Sequence, residues 1–99
     1  MSKTITQPYD SAEYLKTDED IQHYLEACFE EGGDDAAFIL HALGVVARAK
    51  GMMQISRETG LAREALYRSL SADGNPSFAT VLKVLNSLGV HLSARPIAA

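Results

Sequence analysis

One segment of the chain is apolar on almost every side of a helix. Residues 34–51 have the sequence DDAAFILHALGVVARAKG, in which an aspartate can cap the start and a glycine ends the pattern. Such a helix lacks the polar face of a surface helix and is usually buried. A chain of 99 residues has room for one core. We therefore expect this helix at the centre of a single domain, residues 1–99.

The rest of the chain shows shorter apolar patterns that end at glycine or other turn residues. Apolar side chains at helical spacing predict four further helices, over residues 18–31, 52–59, 62–70 and 78–88. Residues 90–95 alternate apolar and polar side chains instead, which predicts a short β-strand before Pro96. The predicted fold is all-α, with five helices, an N-terminal arm at residues 1–16 and one C-terminal strand.

Charge is divided unevenly along the chain. The net charge is −4, but residues 1–47 hold ten acidic and two basic side chains, whereas residues 48–99 hold seven basic and three acidic ones. Such asymmetry predicts a different partner for each half. A solvated acidic helix face is the simpler alternative for the first half.

The sequence carries no signal for secretion, a membrane span or a cofactor. No apolar run reaches the roughly 18 residues of a membrane helix, and the N-terminus is polar. The single cysteine, Cys28, cannot form an internal disulfide, and His23, His41 and His91 lack metal-ligand spacing. We expect a cytoplasmic protein that is not an enzyme and binds neither metal nor other cofactor.

The pattern on either side of Gly60 is typical of a helix–turn–helix, at residues 52–70. A glycine tolerates the positive φ of a tight turn, and Ile55, Leu61 and Leu66 can face the core. This leaves an outward face on the second helix, where a recognition helix contacts base edges: Ala62, Arg63, Glu64, Tyr67 and Arg68. The alternative is a helical corner whose surface carries two arginines.

Residues 52–90, MMQISRETGLAREALYRSLSADGNPSFATVLKVLNSLGV, resemble the Cro/repressor-like helix–turn–helix domain. In particular they resemble the HigA-type addiction-module antidote proteins, the antitoxins of type II toxin–antitoxin pairs. The upstream segments YDSAEYLKTDEDIQHYLEACFEEG and AAFILHALGVVARAKGM are similar to the leading helices of that group. Ser69 departs from the repressor pattern, where an apolar residue is usual, and Leu70 is expected to take over its packing.

The resemblance implies a homodimer that binds double-stranded operator DNA, represses its own operon and neutralises a RelE/HigB-like toxin. By position, Arg63, Glu64, Tyr67 and Arg68 would contact bases and backbone, and Gln54, Asn75 and Ser77 would contact phosphates. Two other functions remain open from the residues. One is a phage-like transcriptional regulator without a toxin, and the other is a helical module that binds protein only.

The tail and the helix before it are the expected dimer interface. A strand at residues 90–95 would leave backbone groups unpaired, and pairing with a two-fold related copy would satisfy them. Folding back on its own subunit is the alternative. The residues expected at the interface are Val81, Leu85, Leu88, Val90 and Leu92.

The acidic first third of the chain is expected to contact the toxin. RelE-like toxins are generally basic, so carboxylates would complement their surface, and tyrosines could anchor the contact. Tyr24 lies on an apolar stripe and is expected in the core. The expected toxin-binding residues are Tyr9, Tyr14, Asp18, Asp20, Glu30 and Glu31.

Overall fold

The computed structural model describes residues 11–71 and 73–97. A 3₁₀ turn at Ser11–Tyr14 precedes five helices, which confirms the all-α class and the helix count. The helices are α1 (Asp18–Gly32), α2 (Ala36–Lys50), α3 (Met52–Thr59), α4 (Arg63–Ser69) and α5 (Phe78–Ser87).

Helix α2 is the centre of the domain, as its apolar sequence predicts. The 3₁₀ turn, α1 and α3 all pack against it, and α3 in turn contacts α4 and α5. Seven consecutive or near-consecutive residues of α2 are buried: Leu40, Ala42, Leu43, Gly44, Val45, Val46 and Ala47. Buried side chains from all five helices form one core cluster.

Gly44 lies where α2 meets the end of α4. A Cβ atom at this position would be 2.9 Å from the backbone oxygen of Leu70. Real Cβ atoms do not approach a backbone that closely, so the absence of a side chain lets the two helices meet. Leu70 itself is 5% exposed, and it fills the packing position that Ser69 leaves.

The start of α1 is fixed by reciprocal hydrogen bonds. The Thr17 hydroxyl accepts from the Asp20 amide at 3.0 Å, and the Asp20 carboxylate accepts from the amides of Thr17 and Lys16 at 3.1 and 3.0 Å. This capping box satisfies amide groups that a helix end leaves unpaired. One ion pair, Lys50 Nζ to Asp18 Oδ1 at 3.1 Å, ties the end of α2 to the same turn.

The prediction of a strand at residues 90–95 is wrong. The Val90 amide donates to the Leu85 carbonyl at 3.1 Å, so it completes the end of α5 instead of starting a ladder. Residues 91–97 are exposed and have no regular secondary structure. Alternation of apolar and polar residues produces a strand only beside another strand, and the described ranges contain none. Arg95 instead lies 3.9 Å from the Glu26 carboxylate of α1.

Across residues 11–71 and 73–97, no single helix has both the length and the apolar composition to cross a membrane. Only α2 and α3 taken together have that composition, and they are bent by 103° where they meet.

Candidate nucleic-acid interface

Helices α3 and α4 are joined by a three-residue turn that begins at Gly60. Gly60 has φ 77° and ψ 10°, a left-handed conformation that favours glycine, and its amide donates to the Ser56 carbonyl at 2.9 Å. The Thr59 hydroxyl donates to the Ile55 carbonyl and accepts from the Leu61 amide, at 2.7 and 3.2 Å. The Ser56 hydroxyl donates to the Leu61 carbonyl at 2.5 Å. Two hydroxyl groups thus hold both sides of the turn.

The core residues of this helix pair leave one side of α4 in solvent. Ile55 of α3 and Leu66 of α4 are both completely buried, and Leu61 in the turn is partly buried. The side chains predicted to face outward are all exposed: Ala62, Arg63, Glu64, Tyr67 and Arg68. With two guanidinium groups, one carboxylate and one phenol, this face offers donors and acceptors for base edges and phosphates.

The structure brings three residues to this face that the sequence did not predict there: Arg48, Met52 and Met53. Met53, 57% exposed, lies with its sulfur 3.6 Å from Nη1 of Arg63. Together with Arg48, Met52 and Tyr67, these side chains line a shallow hollow. A second hollow beside it is lined by Ser56, Arg63, Glu64 and Tyr67. Arg48, Met52 and Met53 could not be placed from the sequence, because the angle between α2 and α3 was not known. The two helices are bent by 103° where they meet, and this brings the last turn of α2 toward α4.

The three residues predicted to contact phosphates have different surroundings. Asn75 is exposed in the loop before α5. The Gln54 amide donates to the Glu58 carboxylate one turn along α3, at 3.1 Å. The Ser77 hydroxyl accepts from the Thr80 amide at 3.1 Å and caps α5. Gln54 and Ser77 therefore already have intramolecular hydrogen-bond partners in the structure.

Two of the residues predicted at the dimer interface are in the core of the subunit. Leu85 and Leu88 are each 2% exposed, so in this structure they offer almost no surface to a second chain. The apolar stripe that carries these two residues faces the core. Val81 and Val90 pack partly against the same core, and Leu92 is 42% exposed.

The carboxylates predicted to bind a toxin do not all have the same environment. Glu30 and Glu31 are exposed near the end of α1. Asp18 is paired with Lys50, and Asp20 closes the capping box. The two amide donors, first Lys16 and then Thr17, lower the pKa of Asp20 below its usual 3.8.

The predicted tyrosine anchors are only partly described. Tyr14 is 68% exposed in the 3₁₀ turn, which is compatible with a contact to another protein. Tyr9 lies outside the described residues. Tyr24 packs against the core cluster, as predicted.

The cysteine and the possible metal ligands of the sequence can also be placed in the described part of the chain. Cys28 is buried in α1, and burial raises the pKa of its thiol, although a hydrogen bond with Tyr24 acts in the opposite direction. No group of three His, Cys, Asp or Glu residues within residues 11–71 and 73–97 could hold a metal ion.

Comparison with known proteins adds a family to this geometry. Residues 5–96 match the family described as "probable addiction module antidote protein". The chain belongs to this family. It is also 46% identical over 87 residues to an uncharacterized protein of Haemophilus influenzae, and the match covers 88% of each chain. No solved structure matches the chain.

Membership of the antidote family implies a protein partner. An antidote in an addiction module acts against a toxin, so a toxin is the partner that the family implies in general. Antidote proteins are generally not enzymes. The family name does not specify the class of toxin, and it does not mention DNA.

Proposed function

We propose that this antidote is the antitoxin of a type II toxin–antitoxin system. It binds operator DNA with α3, the Gly60 turn and α4, represses its own operon as a homodimer, and neutralises a RelE/HigB-like toxin. The observation that carries the proposal is the face of α4 that the core leaves in solvent, defined by Ala62, Arg63, Glu64, Tyr67 and Arg68.

Local charge supports DNA as the ligand of this face. Residues 48–70 hold five basic and two acidic side chains, whereas the whole chain has a net charge of −4. Arginine can bind guanine with two hydrogen bonds, and exposed arginines also pair with phosphates. The cation-to-phosphate part of such binding weakens as salt is raised, because releasing counterions into a more concentrated salt solution gains less entropy.

The toxin is proposed to bind elsewhere, on the acidic surface of α1. Glu30 and Glu31 are exposed near the end of α1 and form no ion pair with another described residue, and Tyr14 is an exposed aromatic side chain in the turn before α1. A basic partner would be attracted to such a surface before contact, which raises its association rate. The two ligands would therefore use different parts of one domain.

The test is a mobility shift with the DNA upstream of the chain's own operon, at 50 and 200 mM salt. We expect saturable binding that weakens at the higher salt, and at least about a tenfold loss of affinity in Arg63→Ala and in Arg68→Ala. The matched control is Arg95→Ala, because Arg95 is an exposed arginine of the tail that lies near Glu26 of α1.

Each outcome selects a function. Binding lost in both α4 variants and kept in Arg95→Ala supports the antitoxin–repressor. No binding of the wild type at 50 mM salt would overturn the DNA part and leave a module that binds protein only. Operator binding without capture of the protein encoded next to this chain would leave a phage-like regulator without a toxin.

A further inference from the structure

The hollow where the end of α2 approaches α3 and α4 has both apolar and cationic walls. Among residues 11–71 and 73–97, the side chains that line it are Arg48, Met52, Met53, Arg63 and Tyr67. Met52 is buried, but Met53 is 57% exposed and Tyr67 is 49% exposed, so a ligand that enters here meets their apolar atoms. We call this site the methionine hollow.

Met53 lies directly beside the guanidinium that the proposed function assigns to a base. A single exposed apolar side chain is ordinary on a protein surface, so the exposure of Met53 indicates nothing alone. Its sulfur, however, is 3.6 Å from Nη1 of Arg63. Sulfur is a weak acceptor, and this contact uses only one N–H donor of a guanidinium that has several. An apolar group and a cation that can bind a base therefore reach the same place.

We propose that Met53 determines part of the sequence specificity, because the methionine hollow receives the 5-methyl group of a thymine next to the guanine that Arg63 binds. The inference rests on the proposed function, since it takes the DNA-binding face as given, and it extends base recognition from α4 to α3. Thymine is the base that presents a methyl group in the major groove. An apolar hollow beside Arg63 therefore distinguishes thymine from cytosine at that position.

The separation of the two side chains matches the spacing of bases in DNA. Successive bases of one strand are about 3.4 Å apart along the helix axis, and the Met53 sulfur lies 3.6 Å from the Arg63 guanidinium. When Arg63 binds O6 and N7 of a guanine, the sulfur therefore reaches the level of the neighbouring base pair. The guanine acceptors and the thymine methyl group are both on the major-groove side of their base pairs.

A methyl group suits the surroundings of Met53 better than a phosphate does. Arg48 and Arg63 supply positive charge to the methionine hollow, which a phosphate could use. An anion placed against the thioether, however, would lose hydration on that side without gaining a hydrogen bond. A methyl group has no such hydration to lose, and burial of its apolar surface against the thioether is favourable.

The test removes single methyl groups from the DNA upstream of the chain's own operon. Deoxyuridine pairs as thymidine does but lacks the methyl group, so replacing one thymidine at a time scans the bound site. For the wild type we expect one position in each half-site where the replacement weakens binding about fourfold, the value of one buried methyl group. That thymine should adjoin the guanine at which 7-deazaguanine, which lacks the N7 acceptor, weakens the wild type but not Arg63→Ala.

Variants of Met53 assign the methyl contact to this side chain. In Met53→Ala the replacement by deoxyuridine should have no effect at that position, because the thioether is gone. Met53→Leu keeps an apolar side chain of similar volume and should keep most of the effect. The matched control is Ile97→Ala, which removes an apolar side chain of the tail that is 95% exposed and should leave the effect unchanged. Circular dichroism checks that the variants are folded.

The outcomes separate this inference from the proposed function. A wild type that binds the DNA equally well with thymidine and with deoxyuridine at every position overturns the inference and leaves the proposed function standing. So does a Met53→Ala protein that keeps the difference between the two bases, because Met53 then only positions Arg63 or packs beside it. Failure of the wild type to bind the unmodified DNA at low salt overturns the DNA part of the proposed function, and the inference with it.

Discussion

Arg63 is in the first turn of α4, where a positive charge gains nothing from the helix. The N-terminal end of a helix carries a partial positive charge, so a cation there is mildly unfavourable and an anion such as Glu64 is favourable. The Arg63 guanidinium contacts only the sulfur of Met53 among the hydrogen-bond partners described for it. Stability therefore does not explain an arginine at this position, whereas contact with a nucleic acid would.

Asp20 has a different role from the other acidic residues of α1. Residues 18–31 contain six acidic side chains, and the sequence alone does not distinguish their roles. All six could equally well contact a basic toxin. The structure separates them, because the Asp20 carboxylate accepts two backbone hydrogen bonds, whereas the Glu30 and Glu31 carboxylates accept none from residues 11–71 and 73–97. The pattern Thr-x-x-Asp ahead of an apolar helix was the available signal.

We predict that Asp20→Asn lowers the melting temperature at pH 7 and that the difference shrinks in acid. The folded pKa of Asp20 is below its ordinary value of 3.8, so the unfolded chain takes up a proton first as pH falls. The stability contributed by the carboxylate is complete above about pH 4 and is lost as pH falls through the folded pKa. Thermal melts between pH 7 and pH 2.5 measure this.

The control for that series is Glu19→Gln, which removes a neighbouring carboxylate from the same helix turn without breaking the capping box. If the two variants melt alike at every pH, the backbone hydrogen bonds of Asp20 contribute nothing specific.

The helices were predictable from the sequence because apolar spacing marks them and most have a capping or turn residue at one end at least. Thr17, Asp35 and Ser77 all act as N-caps with a side-chain hydrogen bond to the helix, and glycine follows α2 and α3. The tail was not predictable in the same way, since a strand depends on a partner that its own sequence does not contain.

The sequence pattern also did not predict which side of α5 is buried. Apolar residues occupy more than half of its circumference, so periodicity alone gives a stripe without deciding which part is buried. In the structure Val84 and Leu85 face inward with Leu88, and Phe78 and Leu82 face outward. That choice follows from how α5 packs on α3, which is a tertiary contact.

We predict that Gly44→Ala destabilises the domain by up to about 2 kcal/mol. Alanine stabilises the interior of a helix by about 1 kcal/mol relative to glycine, but overpacking a core costs about 1–3 kcal/mol. The new methyl group would lie 2.9 Å from the Leu70 carbonyl oxygen, and a backbone cannot move aside as a flexible side chain can. Urea unfolding at constant temperature measures the free energy.

His41→Ala is the comparison for this variant, because His41 is exposed on the same helix and its replacement should change stability by less than about 0.5 kcal/mol. A Gly44→Ala protein more stable than the wild type would mean that α2 and α4 separate at no cost.

At the scale of the molecule, few ion pairs join the acidic half of the sequence to the basic half among the described residues. Lys50 pairs with Asp18, and Arg95 lies near Glu26, while most other acidic side chains of α1 remain in solvent. The net charge of −4 is therefore an average over an acidic surface on α1 and a more basic surface around α4. A ligand within a Debye length, about 8–10 Å, is influenced mainly by the surface it approaches.

We predict that Glu30→Lys with Glu31→Lys slows the association of the toxin about tenfold or more at low salt. The change reverses two exposed charges on the proposed toxin surface, and lysine is acceptable near the C-terminal end of a helix. Stopped-flow or surface-binding kinetics at 50 and 300 mM salt, with the protein encoded next to this chain as partner, measure the rate. The effect should fade at the higher salt.

The control is Glu13→Lys with Asp73→Lys, which changes the net charge equally at two other exposed sites. Equal slowing by both pairs would mean that overall charge governs the encounter and that α1 has no special role.

The exposed tail also bears on how long the molecule survives among proteases. Cleavage inside a helix requires that helix to open, so its rate is tied to folding stability. Residues 91–97 need no such opening, and a cut after Leu92 would remove Arg95 while Val90 stays packed against the core. The rate of cleavage in the tail therefore does not depend on the stability of the fold. Mutations that stabilise the core should leave this rate unchanged.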